Sequence, residues 1–395
     1  MDSTPKRLVL LAATTALLLA ACSKTGPTAS IESVEVRLSK GETRAAAVEL
    51  QSVLQANPSS AKARFLLGQA LLSLGDTASA EVELKRAREL NHPDAEVVPV
   101  LAKALVDAQK HKLAIEQFGS LDLKDPVAQD NLNAALASGW VRLGKRDKAR
   151  GLVDAIVARS PNHVGALLAS ARMHATEGRI DTALAEALKA TTLEDRNADA
   201  WLTLSQIQLI GKQEVDKSAE SLKKVLALRP TSAAAHSSLI GIAFSKGDDA
   251  AAQAAFKDML KALPRHPQTR VIEVQFALKN RELVKAKEGV LELLKLTPDN
   301  ADLQFLAGIT ELELGNVTRA IGHLQRAIYL SPESTASRSG LARALLRSGQ
   351  PKRALQMLEP NLRATRMTSP ICLSRLKPNC NWATPIAPKY SFSAP

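Results

Sequence analysis

At 395 residues the chain has room for more than one ordinary domain, so composition bounds it more tightly than length. Ala and Leu dominate, aromatic residues make up 3%, and few segments alternate β-branched with polar residues, which excludes an all-β fold and favours helices. Lys and Arg outnumber Asp and Glu by 52 to 40; part of the surplus sits at the chain ends, and the rest is dispersed rather than gathered into the stripe a nucleic-acid surface requires.

The first predicted element is an address. Lys6 and Arg7 precede an apolar run from Leu8 to Ala21, which ends Leu19-Ala20-Ala21-Cys22. A basic start, a short apolar stretch and small residues before a cut are the parts of a secretory signal. The run is shorter than the roughly 20 residues a membrane-spanning helix needs. Leu19-Ala20-Ala21-Cys22 also resembles the bacterial lipobox. That resemblance implies cleavage before Cys22, lipidation of its thiol and acylation of the new amino terminus. Several acyl chains on one residue anchor durably where a single chain holds weakly. Residues 1–21 are thus expected to be a lipoprotein signal peptide, and 22–26 the lipidated cysteine with a short tether. Ser23 stands where such lipoproteins carry Asp for inner-membrane retention, so the resemblance implies the periplasm-facing leaflet of the outer membrane. An ordinary signal peptide followed by an unrelated cysteine is the alternative.

From residue 27 a ruler runs through the chain. Prolines fall at Pro58, Pro93, Pro126, Pro161, Pro230, Pro264, Pro298 and Pro332, with successive gaps of 35, 33, 35, 69, 34, 34 and 34. Asp195 fills the double gap at the expected place. Half a repeat away, Gly41, Gly75, Gly144, Gly178, Gly211, Gly247, Gly315 and Gly349 keep the same period. Two independent punctuators with one period mark a repeat array. Each unit reads as two helices. Over Ala301–Ser334 the first carries Leu303, Leu306, Ala307, Gly308 and Leu314, and Gly315-Asn316 breaks it. The second carries Ala320, Leu324, Ala327 and Ile328 and closes at Ser331-Pro332. Gly308, Ala320 and Ala327 are small, as are Gly68, Ala80 and Ala87 in the second unit, which lets neighbouring helices approach closely.

This pattern resembles the tetratricopeptide repeat, with small residues at repeat positions 8, 20 and 27 and Pro near 32. The resemblance covers residues 27–360 as about ten units and implies an all-α, right-handed superhelical solenoid. Three units depart from it. Gln109 replaces the turn glycine in the third, Arg281 does so in the eighth, and the sixth carries an inserted residue. One hairpin cannot bury both its apolar faces, whereas a stack buries them in a continuous core and leaves a concave face. In this family first-helix positions 2, 5, 9 and 12 line that face. The residues so placed include Phe65, Gln69, Arg172, Gln206, Gln275, Phe305 and Arg343. Each also reads as a solvated helix residue or, for the two Phe, a contact to the next repeat.

The tenth unit begins well, with Leu341, Ala342, Leu345, Gly349 and Ala354, then meets Pro360. Residues 361–395 are expected to form a disordered, basic, proline-rich tail: Arg363, Arg366, Arg375, Lys377 and Lys389 face no acidic residue there. A shortened or frame-shifted product of a longer repeat protein would have this character. Cys372 and Cys380 could pair in an oxidising compartment, and their spacing disfavours zinc.

No constellation for catalysis, cofactor or metal survives inspection. Gly139-Trp-Val-Arg-Leu-Gly144-Lys145 fits most of a phosphate-binding loop, but Arg146 stands where Ser or Thr should hold magnesium and no strand precedes it. His92, His163 and His266 sit beside inter-repeat turns, and Asn316-Val317-Thr318 serves the turn rather than a glycan. The expectation is a non-enzyme that takes helical or extended protein segments in its groove and meets the membrane through its lipid anchor, with no nucleic acid and no nucleotide.

A long array directly after the lipobox, with Ala-rich units such as Ser60-Ala-Lys-Ala-Arg-Phe-Leu-Leu-Gly68 and a Leu-Glu-Pro ending at Pro360, resembles the repeat lipoproteins of exosortase/PEP-CTERM protein-sorting and exopolysaccharide loci. Members of that family are longer. The resemblance implies an adaptor in an export complex. A chaperone-like factor for outer-membrane protein or secretin assembly is the alternative, and a polysaccharide-binding or -processing protein a third; Trp140 and Trp201 occupy positions that pack in such repeats.

Overall fold

The computed structural model describes residues 30–366. The expected signal segment, Cys22, the tether, Cys372 and Cys380 and the tail beyond Arg366 lie outside the described residues. Among the described residues every regular element is helical, and the helices pair into ten successive hairpins. The chain divides into two compact units, Met1–Leu101 and Ala102–Pro395, with the boundary inside one helix.

The first unit holds α1 (Ile31–Lys40), α2 (Thr43–Ala56), α3 (Ala61–Leu74), α4 (Thr77–Glu89) and the start of α5 (Asp94–Asp107). Local chemistry starts and stops these helices. Ser60 accepts the Ala63 amide and Asp76 that of Ser79, satisfying donors a helix start leaves open. Gly75 ends α3 at φ 87°, a left-handed conformation that costs glycine little. Val34, Ala46, Leu50, Ala63, Ala80, Leu84 and Ala87 are fully buried between the hairpins. The small residue at Gly68 is a packing requirement: a Cβ there would lie 2.6 Å from Leu84 Cγ.

The second unit continues with α6 (His111–Phe118), α7 (Pro126–Arg142), α8 (Arg146–Arg159), α9 (Val164–Thr176), α10 (Ile180–Leu193) and α11 (Ala198–Gln206). Then come α12 (Val215–Leu228), α13 (Ala233–Lys246), α14 (Asp249–Ala262), α15 (Pro267–Lys279) and α16 (Leu283–Leu296). The last four are α17 (Ala301–Glu313), α18 (Val317–Leu330), α19 (Thr335–Arg347) and α20 (Pro351–Arg366), which crosses the tail boundary drawn at 360. From the fourth hairpin on, apolar clusters link each hairpin to the next. Ile309, Leu312, Ala320, Leu324, Leu341 and Leu345, for example, join the ninth to the tenth.

The three irregular repeats resolve as follows. Gln109 and Arg281 adopt φ 64° and 62°, so they take the left-handed conformation of the glycines they replace. The sixth repeat departs from the sequence reading. Gly211 does not make the turn; Ile207–Gly211 winds as a π-helical turn and Gln213 takes the left-handed position at φ 56°. A π turn absorbs one extra residue without unwinding the helix, which is how the insertion is accommodated. Gly211 is small for a different reason, since a Cβ there would approach Ile180 Cγ2 to 2.6 Å.

The decoys are absorbed by the fold. Gly139 lies within α7, and Gly144 turns α7 into α8 at φ 71°, so Gly139–Lys145 forms a helical hairpin rather than a phosphate cradle. His163 and His266 are helix caps whose Nδ1 atoms accept the Ala166 and Gln268 amides at 3.2 and 3.1 Å. Trp140 packs against the cluster around Ala137, Ala149 and Val153, and Trp201 donates Nε1–H to the Asp195 carbonyl at 2.7 Å.

Candidate functional site

The seven residues placed on the inner face by repeat position fall into different environments. Phe65 is only 5% exposed and its ring stacks on His92 with centroids 4.3 Å apart, so it belongs to the packing of the first unit. Phe305 is half-buried against the cluster of Ile309, Leu341 and Leu345, a contact to the next repeat. Gln69, Gln206 and Gln275 are half-buried on α3, α11 and α15. Arg343 donates to Glu313 Oε1 at 3.2 Å, and the same carboxylate accepts from Arg281 at 2.6 Å. Arg172 donates to Thr203 Oγ1 at 2.7 Å, tying α9 to α11.

Arg172 leads to a charged cluster that repeat position alone did not single out. Lys103, on α5, donates to Asp199 Oδ2 on α11 at 2.7 Å and to Asp107 Oδ2 at 2.5 Å. Arg229, at the end of α12, donates to the other Asp199 oxygen at 3.0 Å. Asp199 thereby gathers cations from the third and sixth repeats. Its neighbour Asn197 caps α11 by accepting the Asp199 and Ala200 amides, which fixes the backbone that carries the carboxylate.

The Lys103–Asp199 bond carries shape information. α7 packs on α9 and α9 on α11. Adjacent helices lie about 8–10 Å apart. A flat stack would therefore hold α5 and α11 far beyond the reach of one lysine side chain. Their contact requires the face shared by α5, α7, α9 and α11 to curve inward, and the cluster sits on its concave side.

The electrostatics follow from that position. Enclosure by the surrounding helices disfavours the charge on Lys103, but Asp107 and Asp199 outweigh it and hold the ammonium above the ordinary lysine range. Enclosure likewise opposes the Asp199 charge, but Lys103, then Arg229 and Arg172, outweigh it and hold the carboxyl well below the usual range. Both groups are charged across the physiological range. The Lys103 side chain keeps 44% of its surface accessible against 18% for Asp199, so water and salt reach the pair.

Lys103 and Asp199 occupy repeat positions 9 and 2, among those that the repeat resemblance implies face inward. The signal was present, but a charged residue at a helix surface reads the same whether solvated or paired. A contact 96 residues apart leaves no mark in a 34-residue period.

The repeat pattern matches known family models. One tetratricopeptide-repeat family model matches residues 37–104 and 311–368, and a second matches 134–200, 208–267 and 277–335, together well over half of the chain. "Protein CTR9 homolog" of Arabidopsis thaliana is 23% identical over 181 residues, covering 45% of this chain and 16% of that protein. "Cellulose synthase operon protein C" of Pseudomonas fluorescens (strain SBW25) is 26% identical over 196 residues, covering 47% of this chain and 15% of that protein. The matches therefore span less than a fifth of either relative's length. Among solved structures, a tetratricopeptide repeat protein from Parabacteroides merdae ATCC 43184 is similar at TM-score 0.46 and 13% identity, over 69% of this chain and 99% of that one.

Proposed function

The chain belongs to the tetratricopeptide-repeat family, and from that premise we propose that it is a non-catalytic protein-binding scaffold, anchored through Cys22 to the periplasmic side of a bacterial outer membrane. Folds of this family bind protein partners. The observation that carries the reading is the concave face of the second unit, where polar side chains from α5, α9 and α11 converge on one cleft. Such a face takes a partner helix or an extended segment. Within that class we place the protein as an adaptor for polysaccharide export and the associated protein sorting. The lipobox-like Leu19–Cys22 and the similarity to a protein named for a cellulose synthase operon support this setting.

Two measurements test the reading separately. Fractionation of cells carrying Cys22→Ser is expected to move the protein out of the membrane fraction; retention there would overturn the anchor without touching the scaffold. Cross-linking in intact envelopes, followed by identification of the linked peptides, is expected to join first-helix residues of the second unit to polysaccharide-export components. Links to barrel-assembly or secretin components would assign the protein to outer-membrane assembly instead. Saturable binding of a glycan, with no linked protein, would overturn the scaffold.

A further inference from the structure

Repeat proteins are quasi-one-dimensional: each hairpin touches its neighbours and no others. The Lys103–Asp199 bond joins the third hairpin to the sixth and so breaks that rule. Both hairpins it joins are irregular. α5 contains Pro99, which removes a helix hydrogen bond and loosens the axis, and its partner α6 is only 8 residues long. α11 runs into the π turn Ile207–Gly211. Between them the fourth and fifth hairpins are regular, with α7 to α10 of 17, 14, 13 and 14 residues. The bond therefore bridges two hairpins with irregular helices across two regular ones.

We propose that Lys103 and Asp199 form an ionic strap that holds the concave cleft of repeats three to six closed, and that the cleft opens when the strap is released. The parts fit this role. The Lys103 ammonium keeps Asp107, one helical turn on, as a partner when Asp199 is withdrawn. Asp199 keeps Arg229 when Lys103 leaves, so release strands neither charge. A strap whose two halves are each satisfied when open costs little to open, and its partial exposure makes it respond to ionic strength.

Amide hydrogen exchange on the full chain tests this, with Lys103→Met removing the charge while keeping most of the apolar stem. An exposed ion pair is worth up to ~1 kcal/mol, or about fivefold in an opening equilibrium. Exchange in α5 and α11 is expected to rise about two- to fivefold in Lys103→Met, while α17 to α19 stay unchanged, and small-angle scattering is expected to show a larger radius of gyration. Raising NaCl from 0.05 to 1 M should produce the same changes in the natural protein and none in Lys103→Met. Arg229→Met, which removes a cation from Asp199 but leaves the strap, should not change α5. Wild-type exchange and dimensions in Lys103→Met would overturn the strap. A uniform rise that includes α17 to α19 would also overturn it, by showing general destabilisation.

Discussion

Adding a single methyl group at Gly308 is expected to destabilise the ninth hairpin, although the same change elsewhere in that hairpin stabilises it. A Cβ built on Gly308 lies 2.5 Å from Leu324 Cγ, 3.0 Å from Leu324 Cδ2 and 3.3 Å from the Ala320 carbonyl oxygen. Leu324 cannot yield: it is fully buried, and a Cβ at Gly340 on its other side would already stand 2.9 Å from Cδ2. Overpacking of this kind costs about 1–3 kcal/mol, set against roughly 1 kcal/mol gained when Ala replaces Gly in a helix. Gly308→Ala is therefore expected to lose up to about 2 kcal/mol net. Gly322, in α18 of the same hairpin, has nothing within 4 Å of its Cβ position, so Gly322→Ala should gain about 0.5–1 kcal/mol from helix propensity alone. Because a repeat array need not unfold in one step, hydrogen exchange in α17 and α18 is the assay, backed by urea denaturation. Equal protection in the two variants, or a Gly308→Ala protein as stable as the natural one, would refute the close-approach account of these glycines.

Gln109 holds φ 64° at a turn where other repeats carry glycine, and its side chain contacts only His111 Nε2, at 3.2 Å, among the hydrogen bonds described. Gln109→Gly is thus expected to stabilise the third hairpin by about 1 kcal/mol, read as slower exchange in α5 and α6. The reverse change, Gly349→Ala at φ 74°, should cost about as much in α19 and α20. His111 is buried, its Nδ1 has no partner, and burial followed by the nearby Arg142 lowers its pKa, with Asp107 opposing. A depressed histidine pKa means that protonation favours the unfolded chain. Its contribution is complete above the ordinary value near 6.5 and is lost as pH falls below it. Melting at pH 7 and pH 5 should show a drop in the natural protein that shrinks in His111→Gln; equal drops in the two would remove His111 as the cause.

The architecture was legible because it is written twice, once in the prolines between hairpins and once in the glycines within them. Departures were legible where they replaced a punctuator. Gln109 and Arg281 stand at turn positions, and they adopt the turn conformation because the flanking apolar faces leave the chain no other path. The insertion in the sixth repeat was visible as a count, yet not its solution: a π turn and a left-handed residue two positions past Gly211 are indistinguishable in sequence from a longer loop. The inner face was the least legible. Position 5 of the second repeat holds Phe65, which the fold spends on stacking with His92, while Lys103 and Asp199 form a contact that no local rule could pair.

Two kinds of ion pair in the second unit show how the array is held. Lys212 pairs with Asp181, Lys246 with Asp216, and Lys279 with Asp249, each joining the region where a first helix ends to the opening turn of the preceding second helix. The acidic partners favour helix starts and the cations favour helix ends, so each pair also matches the local dipoles. These pairs lie at the surface, with Asp181 and Asp216 89% and 86% exposed, and each contributes under ~1 kcal/mol. They act between neighbours and fix the register of one hairpin on the next. Lys103–Asp199 has comparable chemistry but acts across three repeats, so it couples hairpins that nearest-neighbour terms treat as independent. If that coupling exists, weakening the fifth hairpin from within should propagate outward. A cavity made by Met173→Ala, a fully enclosed side chain in α9, should raise exchange in α5 and α11 together in the natural protein. In Lys103→Met the same cavity should leave α5 at the level of Lys103→Met alone.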